Sequence, residues 1–148
     1  MTVFSADCTP ILLLDPINKA VGAVHAGWRG TVNSIAQKAI EKMTQNYGTN
    51  AKDIIAGIGP SIGQCCFQVD DPVVKEFRQK LEFADDVIIN DTVPERYKID
   101  LWETNKRILM NCGVQEKNIE LSNICTMCHT DLFYSHRVMG NERGNMAG

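Results

Sequence analysis

Two residues that could share one metal ion or one reaction, Cys8 and His25, stand at the outer ends of two apolar runs. The runs, residues 11–14 and 20–24, are separated by the turn-forming segment 15–18, so the pattern predicts a β-hairpin. The start of one antiparallel strand lies beside the end of the next, and the hairpin should therefore place Cys8 next to His25. A thiolate and an imidazole can together bind a transition metal or act as nucleophile and base.

The segment just after the hairpin has features of an anion site. Gly27 and Gly30 flank Trp28 and Arg29, and Thr31 is predicted to cap an amphipathic helix. A helix start offers free N–H groups, and the forked guanidinium of an arginine suits phosphate or carboxylate. We therefore expect Arg29, Gly30 and Thr31 to bind an anion. The alternative is that Trp28 and Arg29 only cover the core.

Four motifs in a fixed order carry a family resemblance. They are Ala-Asp-Cys-Thr-Pro at 6–10, His-Ala-Gly-Trp-Arg-Gly at 25–30, Gly-Ile-Gly-Pro-Ser-Ile-Gly at 57–63, and Cys125-Thr126 with Phe-Tyr-Ser-His-Arg at 133–137. The chain resembles the purine nucleoside phosphorylase YfiH/LACC1 family, also called laccase-domain or polyphenol oxidase proteins. The resemblance extends over nearly the whole chain.

The resemblance implies a zinc ion held by one cysteine and two histidines. Cys8 and His25 match two of these ligands, whereas the third lies in a Gln-Val-His motif upstream of Ala-Asp-Cys that this sequence does not contain. Asp7 or His136 is a possible substitute. The chain also stops short of the apolar strand with which relatives close. We therefore expect residues 1–148 to be a single YfiH/laccase-like domain, truncated at the N-terminus and by one strand at the C-terminus.

The activity implied by the resemblance is zinc-dependent phosphorolysis of adenosine, inosine and methylthioadenosine, together with deamination of adenosine. The expected ligands are a small-molecule nucleoside and phosphate. Zinc can polarise a substrate atom or lower the pKa of a bound water. Ser61, in a Gly/Pro-rich loop, and Arg137 join Arg29, Gly30 and Thr31 as the expected substrate or phosphate contacts.

Three other readings of the same residues stay open. Cys8 could be the nucleophile and His25 the base of a hydrolase that acts on amide bonds of peptidoglycan precursors, as described for some relatives. Copper also binds thiolate and imidazole, which would suit a polyphenol oxidase, although a multicopper site needs more than the three histidines of this chain. In the last reading Cys8 and His25 are structural parts of a binding or scaffolding domain.

The remaining cysteines are expected to be free thiols or metal ligands. Cys125-x-x-Cys128-His129 has the pattern of a c-type haem attachment, but haem attachment needs an exported protein, and the sequence starts without the features of a signal peptide. A Cys2His2 zinc site with His136 is disfavoured because Cys128 and His129 are adjacent donors. Cys65 and Cys66 are also adjacent and cannot readily pair with each other.

Composition sets limits on the class of protein. The chain has 148 residues, of which 44% are hydrophobic and 22% are charged, and its net charge is -3. It has no clustered basic excess of the kind that binds nucleic acid, and no apolar run long enough to span a membrane. We expect one cytoplasmic domain with a substantial core.

The fold implied by the resemblance is α+β, with mixed, largely antiparallel sheets packed between helices in α/β/β/α-like layers. The sequence pattern alone also allows a three-layer α/β sheet. Amphipathic helices are predicted from Thr31, from the acidic Pro72 segment and from Asp100. Further strands are predicted at residues 53–58, 65–69, 87–89, 97–100 and 118–123.

Overall fold

The computed structural model describes every residue from Met1 to Gly148. Its strands are β1 Phe4–Ser5, β2 Thr9–Asp15, β3 Ala20–Ala26, β4 Ile55–Ile58, β5 Gln68–Val69, β6 Ile88–Asn90, β7 Tyr97–Ile99, β8 Ile119–Leu121 and β9 Met146–Ala147. Its α-helices are α1 Trp28–Val32, α2 Ile35–Tyr47, α3 Asp71–Lys80, α4 Ala84–Val87, α5 Leu101–Asn111 and α6 His136–Met139. No helix combines the length and apolar character needed to cross a membrane.

The strands form three sheets. A four-stranded sheet has the order β3-β2-β4-β8, in which only β4 and β8 are parallel. A three-stranded antiparallel sheet has the order β5-β7-β6, and β1 pairs with β9 near the two ends of the chain. This mixed, largely antiparallel arrangement with helices confirms the predicted α+β class.

The predicted hairpin is confirmed as β2 and β3, and its register pairs Pro10 with His25. Along β2, Ile11 and Leu13 are buried in the core whereas the alternating leucines are exposed, as expected for a strand with one covered face. At the turn, the Asp15 carboxylate accepts hydrogen bonds from the backbone and side chain of Asn18. These hydrogen bonds lower the pKa of Asp15 to about 2.

The helix predicted from Thr31 is divided into α1 and α2. It starts at Trp28, so the prediction that Thr31 caps it is wrong, and Thr31 is buried inside α1. The break comes at Ser34, which adopts a left-handed backbone with φ of 52°. The Asn33 side chain donates to the Arg29 carbonyl, a bond that competes with continuation of the helix. The predicted apolar stripe survives in α2, where Ala36, Ile40 and Met43 are buried.

Two predictions from the later part of the chain have different outcomes. Asp100 caps α5 by accepting a hydrogen bond from the backbone N–H of Glu103, as the sequence predicts. The strand predicted over residues 65–69 is reduced to β5, because the preceding residues turn tightly. In this turn the Gly63 carbonyl accepts hydrogen bonds from the N–H groups of Cys66 and Phe67.

Candidate metal and catalytic site

The hairpin brings the Cys8 thiol and the His25 imidazole to one place, beside Gly27. A Cβ atom at Gly27 would lie 3.0 Å from Cys8 Sγ and 3.9 Å from His25 Nε2. Both potential ligand atoms therefore lie within 4 Å of one point. Any side chain at position 27 would press on the sulfur, so glycine keeps this space open. We call Cys8 and His25 the Cys8–His25 pair.

The orientation of the His25 ring is fixed by the backbone of β1. Its Nδ1 atom lies 2.8 Å from the carbonyl oxygen of Phe4. A carbonyl oxygen only accepts hydrogen bonds, so Nδ1 is the donor in this contact, which selects the tautomer whose free ring nitrogen is Nε2. Histidine ligands of metals are commonly held in this way through their second nitrogen.

The surroundings of Cys8 do not favour a free thiolate. Burial raises the pKa of the Cys8 thiol, the charge of Asp7 raises it further, and Arg143 acts in the opposite direction. An activated cysteine nucleophile needs a pKa below the ordinary value. A bound cation can instead displace the thiol proton, as metals do at cysteine ligands.

Asp7 is not placed as a third metal ligand. Its Oδ1 accepts a hydrogen bond from Thr126 Oγ1 at 2.6 Å, and its Oδ2 accepts from Ser135 Oγ at 3.0 Å and from the Arg137 N–H at 2.7 Å. Asp7 itself has a left-handed backbone, with φ of 75°. Both carboxylate oxygens are committed to this group, which we call the Asp7 network. The network fixes the backbone directly before Cys8.

His136 and Arg137 begin helix α6, next to the Asp7 network. His136 is exposed, and its Nδ1 lies 3.3 Å from the Gly140 carbonyl oxygen. The Arg137 guanidinium donates to the Gln68 carbonyl at 3.0 Å and lies over the ring of Phe67. Neither residue, nor any other Cys, His, Asp or Glu, forms a group of three potential metal ligands with the Cys8–His25 pair.

The predicted anion contacts differ in their accessibility. Arg29 is exposed and stacks on Trp28, with 4.3 Å between the guanidinium carbon and the ring centre. Gly30 packs closely on Ile35. The buried Thr31 hydroxyl accepts a hydrogen bond from the side chain of Asn105, at 3.1 Å.

The hydroxyl of Ser61 is also occupied inside the protein. It accepts a 2.6 Å hydrogen bond from the indole N–H of Trp102, and Ser61 is fully buried. Of Arg29, Thr31 and Ser61, only Arg29 carries donors that are free at the surface.

Four cysteines that sequence reasoning did not connect come together elsewhere in the structure. The sulfur atoms of Cys65, Cys66, Cys125 and Cys128 all lie within 4.8 Å of one another, close enough to hold a metal ion. We call them the four-cysteine cluster. No histidine belongs to it, so the structure does not assemble the Cys2His2 set considered from the sequence. An adjacent cysteine pair combined with a Cys-x-x-Cys segment was the available signal.

The thiols of this cluster have unequal surroundings. Burial raises the pKa of Cys65 to about 11 and also raises that of Cys66. Burial acts in the same direction on Cys125, but hydrogen bonds from the backbone N–H groups of Gly63 and Cys128 outweigh it and lower the pKa of Cys125. Cys125 is therefore the thiol of these three whose surroundings most favour the thiolate.

The chain is similar in sequence to one protein family and to proteins named as enzymes of purine nucleosides. The family model described as multi-copper polyphenol oxidoreductase laccase matches residues 1–148. The purine nucleoside phosphorylase YlmD of Bacillus subtilis is 41% identical over 141 residues, which cover 95% of this chain and 50% of that protein. The adenosine deaminase RL5 of an unknown prokaryotic organism is 38% identical over 142 residues, which cover 96% of this chain and 54% of that protein.

A solved structure shows the same fold. The Bacillus licheniformis hypothetical protein YfiH superposes with a TM-score of 0.93 at 37% identity, over 99% of this chain and 55% of that one. The chain thus spans about half the length of the relatives that it matches.

Proposed function

The chain belongs to the multi-copper polyphenol oxidoreductase laccase family, and we propose that its protein is a zinc-dependent purine nucleoside phosphorylase with adenosine deaminase activity. The proposed substrates are adenosine, inosine and methylthioadenosine, with phosphate as the second reactant. Relatives named for each of the two activities support this assignment. The observation that carries it is the convergence of Cys8 Sγ and His25 Nε2 on one point beside Gly27.

The Cys8–His25 pair fits zinc by its donor types and by the fixed orientation of its imidazole. Thiolate and imidazole are common zinc ligands, and a catalytic zinc takes three protein ligands and one exchangeable position. We propose that the third ligand is the histidine that relatives carry in their Gln-Val-His motif, supplied by a segment outside these 148 residues. Zinc bound there would polarise a substrate atom or lower the pKa of a bound water.

This chain's own residues prepare the site. The Phe4 carbonyl holds the proton on His25 Nδ1, which keeps Nε2 available. The Asp7 network fixes the backbone before Cys8, and Gly27 leaves room beside the sulfur. These contacts set the two donors in place before any ligand binds, so little ordering is needed on binding.

We propose Arg29 as the phosphate contact. Its guanidinium is exposed and lies over the Trp28 ring, so its forked donors are available to an anion. In phosphorolysis the bond between the ribose anomeric carbon and the base breaks, a phosphate oxygen bonds to that carbon, and the base takes up a proton. Orienting the phosphate and balancing its charge would contribute much of the rate. Gly30 and the buried Thr31 and Ser61 would support the surrounding backbone, and the Arg137 N–H would hold the Asp7 carboxylate.

Copper-dependent oxidation of phenols is the second candidate, because the family description names it and the same donors bind copper. A cysteine hydrolase is less well supported, since burial and Asp7 raise the pKa of Cys8.

The test compares this chain with a form extended upstream to include the Gln-Val-His segment of its relatives. Each is assayed with adenosine for release of adenine in phosphate buffer and of inosine without phosphate, alongside elemental analysis for zinc and copper. In the extended form we expect both adenine and inosine to be produced, and about one zinc ion per chain more than in the 148-residue chain. Chelation should remove this zinc and abolish both activities. Activity that survives chelation and is lost on thiol alkylation would indicate the hydrolase, and oxygen consumption with bound copper would indicate the oxidase.

A further inference from the structure

We propose that Cys65, Cys66, Cys125 and Cys128 form a structural zinc site, distinct from the Cys8–His25 pair. The four sulfurs converge from two separate segments of the chain, and none of the four cysteines forms a disulfide. The site takes a single thiophilic cation and has no donor other than sulfur.

The spacing of the sulfur atoms suits one ion. Cys128 Sγ lies 3.7 Å from Cys65 Sγ and 3.5 Å from Cys66 Sγ, and all four sulfurs lie within 4.8 Å of one another. A zinc ion bound tetrahedrally by thiolates, with Zn–S distances of about 2.3 Å, separates its sulfurs by about 3.8 Å. The cluster therefore needs only small side-chain adjustments to close around zinc.

The two segments are shaped to present these sulfurs. The turn after Gly63 allows the adjacent Cys65 and Cys66 both to reach the cluster, although neighbours in an extended strand would point to opposite sides. On the other segment, His129 N–H donates to the Cys125 carbonyl and closes the Cys-x-x-Cys turn. Two adjacent cysteines can therefore both belong to a four-ligand metal site when the backbone turns tightly at these residues.

Backbone contacts support the site as they do in known metal centres. The Gly63 N–H donates to Cys125 Sγ at 3.2 Å, a contact that can stabilise a thiolate and orient it. A Cβ at Gly63 would lie 3.3 Å from Cys65 Sγ, 3.3 Å from Cys125 Cβ and 3.0 Å from the Trp102 ring. Glycine at this position allows the two segments to approach closely enough for all four sulfurs to meet.

The donor set favours zinc and a structural role for it. Four cysteines without histidine, carboxylate or an open position are typical of structural zinc, whereas a catalytic zinc keeps one position for water or substrate. A disulfide would use only two of the four sulfurs. The bound ion would join the Gly63 turn to the segment that contains Thr126, whose hydroxyl donates to Asp7.

The experiment isolates the cluster from the Cys8–His25 pair. The chain carrying Cys8→Ser and His25→Ala is purified, stripped of metal, and titrated with Co²⁺ and then with Zn²⁺. We expect one Co²⁺ per chain, with the strong sulfur-to-metal charge-transfer band and visible bands of tetrahedral thiolate cobalt, and displacement of cobalt by zinc. Adding Cys125→Ser and Cys128→Ser should abolish these bands. Adding Cys112→Ser, which removes a half-buried cysteine outside the cluster, should leave them unchanged.

A second measurement does not depend on the folding of cluster variants. With the cluster intact, saturating Zn²⁺ should slow alkylation of all four cluster cysteines by at least tenfold, as mapped by mass spectrometry, without slowing that of Cys112. The proposal is overturned if the Cys8→Ser/His25→Ala variant binds no metal, or if it still binds metal after Cys125→Ser and Cys128→Ser are added. It is also overturned if zinc does not protect the four cluster cysteines from alkylation. Iron in place of zinc at the cluster of the chain as purified, before metal is stripped, would overturn the choice of ion.

Discussion

The Cys8–His25 pair and the four-cysteine cluster are two groups of potential metal ligands that differ in how the chain presents them. The pair offers two donors at the end of a regular hairpin, with one face left open by Gly27. The cluster offers four donors on two turns, which can enclose an ion completely. Because an open position is needed for chemistry and a closed set is suited to structure, the difference supports the two proposals, catalysis at the pair and stabilisation at the cluster.

The two regions are nevertheless connected in space by a hydrogen bond between residues far apart in sequence. Thr126 follows the cluster residue Cys125 and donates to Asp7, which precedes Cys8. Displacement of either Cys125 or Asp7 is therefore expected to disturb the other site.

The largest expected effect is on stability and concerns the cluster. A ligand present at 1,000 times its dissociation constant stabilises the folded state by about 4 kcal/mol, so chelation of zinc should lower the unfolding temperature markedly. Calorimetry of the zinc-loaded chain with and without chelator measures this effect. The Cys125→Ser/Cys128→Ser variant should not respond to chelator, whereas Cys112→Ser should respond as the unmutated chain does. An unchanged unfolding temperature in the zinc-loaded, unmutated chain would contradict the structural role.

The next effect is on activity and concerns the pair. In the extended form, Cys8→Ser or His25→Ala should reduce adenosine phosphorolysis by more than about 100-fold, since even the outer partners of metal ligands change affinity or activity by about 10- to 100-fold. Turnover and zinc content are measured on the same sample. The zinc of the cluster should remain, so one of two zinc ions is lost. Loss of both ions from a folded variant would show that the two sites are not independent.

The third effect concerns the stability that the Asp7 network gives to the fold. The change Asp7→Asn places an amide where three hydrogen-bond donors converge, which should destabilise the fold by about 2 kcal/mol. Urea unfolding measures the loss. Asp131→Asn, at an exposed carboxylate, is the matched control and should be nearly neutral. Equal stability of the two variants would mean that the Asp7 network does not hold the region together.

A smaller effect is expected at the proposed phosphate contact. Arg29→Lys keeps the charge but loses the forked geometry and much of the stacking on Trp28. We expect the KM for phosphate in the extended form to rise about tenfold, equivalent to about 1.4 kcal/mol, while deamination without phosphate is unchanged. A parallel loss of both activities would instead indicate a structural role for Arg29.

The smallest effect concerns the far end of the hairpin. Hydrogen bonds from Asn18 lower the pKa of Asp15 to about 2, below its value in an unfolded chain, so the ionised carboxylate stabilises the fold above about pH 4. This contribution is lost as the pH falls from about 4 to about 2. Unfolding temperatures measured across this range should fall less steeply for Asp15→Asn than for the unmutated chain. An identical slope would show that the turn does not depend on the ionised carboxylate.

The sequence predicts that Cys8 and His25 lie close together, because the hairpin that brings them together is formed by neighbouring residues. Two apolar runs around a turn fix the hairpin, and the hairpin register places Cys8 near His25. The division of the helix at Ser34 was missed, because periodicity continues across a single residue of left-handed backbone.

The cluster and the Asp7 network could not be predicted from the sequence, because both depend on contacts between distant parts of the chain. Cys65 and Cys125 are far apart in sequence, and their approach depends on how Gly63 packs against Trp102. Likewise, nothing in the residues around Asp7 indicates that Thr126 and Ser135 will donate to it. Residue types can suggest that a carboxylate is a ligand, but only its tertiary partners show that its oxygens are already used.

The Asp7 network also has a consequence for the order of folding. The hairpin is a local element and can form within microseconds, whereas Asp7 must wait for Thr126 and Ser135, which leave the ribosome much later. During synthesis, Cys8 and His25 would thus be neighbours on a hairpin whose preceding backbone is still mobile. We therefore expect the metal site proposed at this pair to reach its final geometry only after the distant segment has been synthesised.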